Sequence, residues 1–210
     1  MALLTMNERP ALSQFDAIVL AGGASKRMGS PKATLPFGST SLVGATVEAL
    51  RPVFRRVLVV TRDKTLLPGI DVEVLEDGRP LCGPLVGLAR GLSHSNAPWC
   101  FVAGCDMPFL QIELIEEMTE YLGDCDVVVP NYNGQLQTLH AFYRTGCLST
   151  AEDLLGEGVT SMKALLSRCR VTELAQDQIT RVPGWVRSFD DLDTPAEYRA
   201  ALNNLDFRPS

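Results

Sequence analysis

The chain has 210 residues, and 25 Asp plus Glu against 19 Lys plus Arg leave a formal charge of −6. Hydrophobic residues at 46% and charged residues at 21% match folded domains closely enough to exclude disorder as the main state. An acidic balance with no dense Lys/Arg run argues against a nucleic-acid partner, whose affinity would come from clustered cations on phosphates. The length suits a single domain over 1–210, with an ordered core of about 14–205. No run approaches the roughly 18 apolar residues of a spanning helix. The opening Met-Ala-Leu-Leu-Thr-Met-Asn-Glu-Arg-Pro has neither a basic leader nor a long apolar stretch, so the expectation is a cytoplasmic protein without membrane contact. The six cysteines (Cys82, Cys100, Cys105, Cys125, Cys147, Cys169) form no Cys-x-x-Cys pair, and most sit in apolar runs. Buried free thiols are expected of them, rather than a zinc site or a disulfide framework.

In chain order, Phe15 to Leu20 reads as a buried strand, and Ser41 to Leu50 as a helix entered through Ser39 and Thr40 as caps. Strands follow at Val57 to Thr61 and Val72 to Leu75, a helix at Leu85 to Ser93, and a strand at Cys100 to Ala103. In the helix expected over Ile112 to Leu122, the apolar residues Ile112, Leu114, Ile115, Met118 and Leu122 recur every three or four positions. Strands at Asp126 to Val129 and Leu139 to Tyr143 come next, and Pro195 to Leu205 forms a last helix after Thr194 as its cap. The first dozen residues and 207–210 are expected to fray. Apolar strands alternating with helical segments predict an α/β fold, a three-layer α/β/α sandwich around a mainly parallel sheet.

The segment with the most chemistry runs from Asp16 to Lys32. A buried strand leads directly into Gly22-Gly23, and Lys26, Arg27 and Lys32 follow within ten residues. Glycines let the backbone turn sharply and approach a ligand, so successive N–H groups can converge on phosphate oxygens. In an open α/β sheet this loop lies at the carboxyl edge, where ligands bind. It is neither a Walker A loop nor a Gly-x-Gly-x-x-Gly turn. Asp106 follows the run Trp99 to Ala103, which places its carboxylate at the same edge. A hard cation such as Mg²⁺ takes one or two carboxylates together with phosphate oxygens and water, and a turn cap is the structural alternative for this residue. Neither His94 nor His140 has the companions a nucleophile or metal site needs.

Leu20-Ala-Gly-Gly-Ala-Ser-Lys-Arg-Met-Gly-Ser-Pro-Lys32 resembles the signature of nucleotidyltransferases that attach a nucleoside monophosphate to a phosphorylated acceptor. Within that superfamily the chain is most similar to the molybdenum cofactor guanylyltransferases. Cys82-Gly-Pro-Leu-Val-Gly-Leu88, Gly104-Cys-Asp-Met-Pro-Phe109, Gln137-Thr-Leu-His-Ala-Phe-Tyr143 and Phe189-Asp-Asp-Leu-Asp-Thr-Pro195 stand in that family's order. The resemblance implies a Rossmann-like nucleotidyltransferase fold. It also implies transfer of GMP from GTP to molybdopterin, or molybdenum-molybdopterin, with release of pyrophosphate. It places Leu20, Ala21, Gly22, Gly23, Lys32, Asp77 and Asp106 at the nucleotide. Arg27, Lys32 and Asp106 become the catalytic set, with Asp106 as ligand to Mg²⁺. A labile product further implies contact with other cofactor-assembly or molybdoenzyme-maturation proteins.

Several positions stay open. Asp77, in Leu75-Glu-Asp-Gly78, is read as a contact to guanine or ribose or as an ordinary Asp-Gly turn. Gly83 and Gly87 leave room for a base or allow close helix packing. Asp191 and Asp193 stand where the family has amides, and they join Asp106 at a metal or cap the last helix. Where the family often has an asparagine after its second strand, the chain reads Val59-Val60-Thr61-Arg62, and Thr138 replaces the family's proline. The rival functions are transfer from CTP or to another phosphorylated acceptor, and a catalytically silent nucleotide-binding module.

Overall fold

Strand β1 (Asp16–Leu20) is buried at all five positions, and an apolar strand covered on both faces belongs at the centre of a sheet. The structure, a computed structural model, describes residues 9–22 and 31–205. Past β1 come a two-residue hairpin, β2 (Pro36–Phe37) and β3 (Thr40–Ser41), then α1 (Leu42–Leu50), β4 (Arg56–Thr61) and β5 (Glu73–Glu76). α2 (Pro84–Leu92), β6 (Trp99–Gly104), α3 (Ile112–Met118), β7 (Val127–Tyr132), β8 (Gln135–Leu136) and β9 (His140–Arg144) follow. The chain ends with α4 (Cys147–Gly156), α5 (Met162–Leu166), β10 (Val171–Leu174), α6 (Gln176–Ile179) and α7 (Pro195–Leu205).

The main sheet has the order β10-β7-β9-β6-β1-β4-β5, with β8 paired to β7. β9 runs antiparallel to both β6 and β7, while β1, β4, β5 and β6 are mutually parallel. Leu20 lies opposite Val60 on one side and Gly104 on the other, so three carboxyl ends finish level. Alternation along each strand divides the core. Val19, Val59, Phe101 and Phe142 face α1 and α3, while Ile18, Leu58, Val102 and Tyr143 face α2, α4 and α5. The expected three layers result. α2 comes unusually close to β1 because residue 91 is glycine; a Cβ there would lie 2.7 Å from Ile18.

Asp16 is fully buried, and its carboxylate accepts from Arg55 Nε and Nη2 at 2.9 and 2.8 Å and from Ser95 Oγ at 2.7 Å. Three donors satisfy a charge that would otherwise be costly at the foot of the central strand.

Some expected boundaries move. Ser41 is not the first residue of α1 but its cap, its Oγ accepting from Gly44 N at 3.2 Å. The helix expected through Leu122 ends at Met118 and tightens into a 3₁₀ turn, Thr119–Tyr121. β2, β3, β8, β10, α4, α5 and α6 were not anticipated. Cys100, Cys105, Cys125 and Cys147 are buried, whereas Cys82 is exposed and Cys169 half-buried. Among the described residues no helix is long and apolar enough to cross a membrane.

Candidate active site

The level ends of β1, β4 and β6 form the floor of the site. Ala21 N donates to Val60 O at 2.8 Å, Cys105 N to Leu20 O at 3.1 Å, and Asp77 N to Thr61 O at 2.9 Å. These bonds carry the sheet one residue past its strands and fix where the next side chains emerge. A cavity of about 250 Å³ opens there, bounded by Leu20, Ala21, Gly22, Lys32, Asp106 and Leu139 among others. Gly104 explains how Asp106 reaches it. A Cβ at position 104 would sit 2.3 Å from Asp106 Oδ1, so the carboxylate folds back over a residue that has no side chain.

Lys32 begins the 3₁₀ turn Lys32–Thr34, which delivers its side chain into the cavity. Its Nζ donates to Asp106 Oδ2 and to Asp193 Oδ1, each at 2.6 Å. Burial opposes a charge on this amine, but its hydrogen bonds to the two carboxylates more than compensate and raise its pKa above the ordinary lysine value. The lysine therefore stays cationic at neutral pH. The third segment is brought in by Leu192 N, which donates to Asp106 O at 3.1 Å. Asp191, an exposed residue near both Asp193 and Asp106, has its pKa raised by partial desolvation of its carboxyl first and by those two carboxylates next.

The cap reading of Asp191 and Asp193 is corrected here. Thr194 caps α7 through a reciprocal pair, Thr194 N to Glu197 Oε2 at 2.7 Å and Glu197 N to Thr194 Oγ1 at 3.2 Å. Asp193 instead turns to Lys32. Close packing accounts for Gly83 and Gly87. A Cβ at Gly83, where φ is +146°, would meet Thr160 at 2.7 Å, and one at Gly87 would meet Leu20 at 3.0 Å.

Asp77 stands at the same carboxyl edge but on the outermost strand, two strands from β1 and so about 10 Å away. Its Oδ1 accepts from Arg79 N at 3.4 Å around Gly78, where φ is +63°, so the turn is present; it does not line the Lys32 cavity. Gly23, Lys26 and Arg27 lie outside the described residues. Arg62, beside Gly22, donates to Arg79 O and Leu81 O at 3.4 Å and holds the loop that follows Asp77. The sequence reading missed that clamp, and it missed a second cavity of about 680 Å³ lined by Phe109, Arg187, Phe189, Asp190, Asp191 and Glu197. Its cation sits 4.2 Å over the Phe109 ring. No local motif marks that cavity, because its walls come from separate turns.

Among the described residues no group of three or more His, Cys, Asp or Glu is arranged to hold a metal ion. The donor chemistry nevertheless fits Mg²⁺. The Lys32 ammonium bridges Asp106 and Asp193 as a cation would, and two carboxylates that leave positions for phosphate and water are what this ion takes.

A family model described as a MobA-like NTP transferase domain matches residues 17–174. A relative from Mycobacterium bovis, named "Probable molybdenum cofactor guanylyltransferase", is 39% identical over 156 residues, covering 71% of this chain and 77% of its own. One of the same name from Bacillus cereus is 30% identical over 203 residues, covering 92% and 98%. Among solved structures, molybdopterin-guanine dinucleotide biosynthesis protein A from Archaeoglobus fulgidus matches 92% of this chain and 100% of its own with a TM-score of 0.81. At 22% identity that likeness is one of fold.

Proposed function

Because the chain belongs to the MobA-like NTP transferase domain family, we propose that it transfers GMP from GTP to the terminal phosphate of molybdopterin or molybdenum-molybdopterin, releasing pyrophosphate, in the cytoplasm. The observation that carries this reading is the meeting of Lys32, Asp106 and Asp193 at the carboxyl ends of β1 and β6, in a cavity that Gly22 also lines. The names of the relatives supply the guanylyl choice.

The acceptor phosphate attacks the α-phosphorus in line. A phosphate monoester with a second pKa of about 6 is largely dianionic at neutral pH, so it needs no general base. The residues around the cleft agree. Burial pushes the Cys105 thiol up to about 12 and the His140 imidazole down to about 3, leaving neither poised to exchange a proton. Lys32 holds a phosphate oxygen in place of one of its carboxylates, Gly22 lines the same cavity, and the family resemblance assigns Gly23 and Arg27 to the triphosphate. Asp106, joined by Asp193, would hold Mg²⁺, which screens the charge on the α- and β-oxygens when bound. Asp77 lies about one nucleoside length along the edge, suited to guanine or ribose. The cavity beside Asp191 has the volume and the aromatic and carboxylate walls for a pterin, whose N3–H and amino group are donors to a carboxylate. Cofactor-assembly or molybdoenzyme-maturation proteins are the proposed recipients of the product.

Thermal shift with Mg²⁺ and GTP, CTP, ATP or UTP tests the nucleotide. At about 100 times Kd a native-state ligand stabilises by about 2.7 kcal/mol, and the shift is expected with GTP alone and reduced in Asp77→Ala. A response to CTP alone would move the chain to cytidylyl transfer, and binding without pyrophosphate release would make it a silent module. With molybdopterin present, Asp106→Ala is expected to lose at least about 100-fold in pyrophosphate release, as removal of one transition-state charge contact does. Normal turnover in the folded variant overturns the assignment of Asp106.

A further inference from the structure

Two cysteines far from the Lys32 cleft lie side by side. Cys147 opens α4 and Cys169 occupies the bend between α5 and β10, and their Sγ atoms are 3.9 Å apart. No sequence motif joins them. Cys147 is 3% exposed and its Sγ donates to Asp126 O at 3.3 Å, whereas Cys169 is half-buried and reachable from solvent. A disulfide has an S–S length of about 2.05 Å, so the sulfurs must approach by roughly 2 Å. The bend can supply that movement, since Cys169 lies outside the sheet ladder and its own N–H bonds only to Leu166 O at 3.2 Å.

We propose that Cys147 and Cys169 are a modification site, a thiol pair that peroxide converts to a reversible intrachain disulfide, with Cys169 attacked first and Cys147 resolving. In the first step the Cys169 thiolate attacks hydrogen peroxide. An S–O bond forms, the O–O bond breaks, sulfur is oxidised by two electrons, and the departing hydroxide takes a proton to become water. In the second, Cys147 Sγ attacks the Cys169 sulfenic acid. The S–S bond forms, the S–O bond breaks, and the leaving hydroxide takes the Cys147 thiol proton as a second water. The division of roles follows from access and from contact between the sulfurs. Cys169 Sγ is the donor in the 3.9 Å contact, and Cys147 gives its one proton to Asp126 O; the Cys147 pKa is raised by the contact with Cys169 first and by burial next, so Cys147 stays a thiol until its partner is oxidised. Thiolate character and exposure decide which sulfur reacts first. The bridge would enclose all of α4 and α5 in one loop.

The test treats the full chain with hydrogen peroxide, alkylates with N-ethylmaleimide and maps unreduced peptides by mass spectrometry. A Cys147–Cys169 cross-linked peptide, lighter by two hydrogens and released by dithiothreitol, is expected. In Cys147→Ser, dimedone should trap Cys169 as a sulfenic acid, while in Cys169→Ser, Cys147 should stay reduced at the same dose. Pairing of either cysteine with a different partner, no loss of thiols in the wild type, or equal oxidation of Cys147 in Cys169→Ser overturns the proposal. Because both variants keep a serine of nearly the same size, circular dichroism distinguishes a failed fold from a failed prediction.

Discussion

At the scale of single residues the candidate site is an arrangement of charges. Lys32 and Asp106 were marked by the sequence, one by the glycine-rich segment and the other by its place after an apolar strand. Asp193 was marked as well, either as a partner of Asp106 at a metal or as a helix cap, but its contact with Lys32 was not, because the two are 161 residues apart and only the docking of 190–193 on Asp106 brings them together. Asp191 carries a testable consequence. Its folded pKa lies above the unfolded value, so the native state binds more protons than the unfolded state between the two, and stability falls as pH rises through that window. Asp191→Asn removes the penalty. Thermal melts at pH 7 are expected to show a small rise, screened by solvent because Asp191 is exposed, and the difference should vanish below about pH 3.9, where the unfolded carboxyl is protonated too. An unchanged or lowered melting point at pH 7 would contradict it.

At the scale of elements, strands with continuous apolar runs and helices with clear period were legible, and short elements were not. α4, Cys-Leu-Ser-Thr-Ala-Glu-Asp-Leu-Leu-Gly, mixes helix formers with Ser and Thr, and it is held as a helix by Ala151, Leu154 and Leu155 packed on the sheet. β10 is four residues long and exists because β7 offers it a parallel edge. The contact between α2 and β1 is close. Gly91→Ala places a Cβ 2.7 Å from two Ile18 carbons at 0% exposure, and overpacking a rigid core costs about 1–3 kcal/mol. Urea unfolding should show that loss, although alanine is the better helix former by about 1 kcal/mol. A stabilised variant would mean that α2 can slide.

At the scale of the whole molecule, His140 is a titratable ring that the apolar core leaves without a hydrogen-bond partner among the described residues. His140 is fully buried, neither ring nitrogen has a hydrogen-bond partner, and its ring packs 5.1 Å from Phe101 and 4.9 Å from Phe189. Burial holds its pKa down at about 3. The unfolded imidazole takes a proton below about pH 6.5, and the native one refuses it until about pH 3, so stability falls as pH falls across that window. The slope from this residue approaches about 1.4 kcal/mol per pH unit. His140→Leu keeps the apolar contacts and should flatten the acid limb of the stability curve by that amount. A curve parallel to the wild type between pH 6 and 4 would refute it.

The sequence by itself determined the layers, the central strands and which residues stand at the carboxyl edge of the sheet, because apolar runs, helical period and glycine spacing are local properties that chain order preserves. Tertiary structure alone decided which carboxylate meets Lys32, why Gly83, Gly87 and Gly104 are glycines, and that Cys147 lies against Cys169. Each of these depends on close approach between segments distant in the chain. No local pattern encodes a 2.6 Å contact across 161 residues; it exists only once the sheet has aligned its strand ends and α7 has docked beside them.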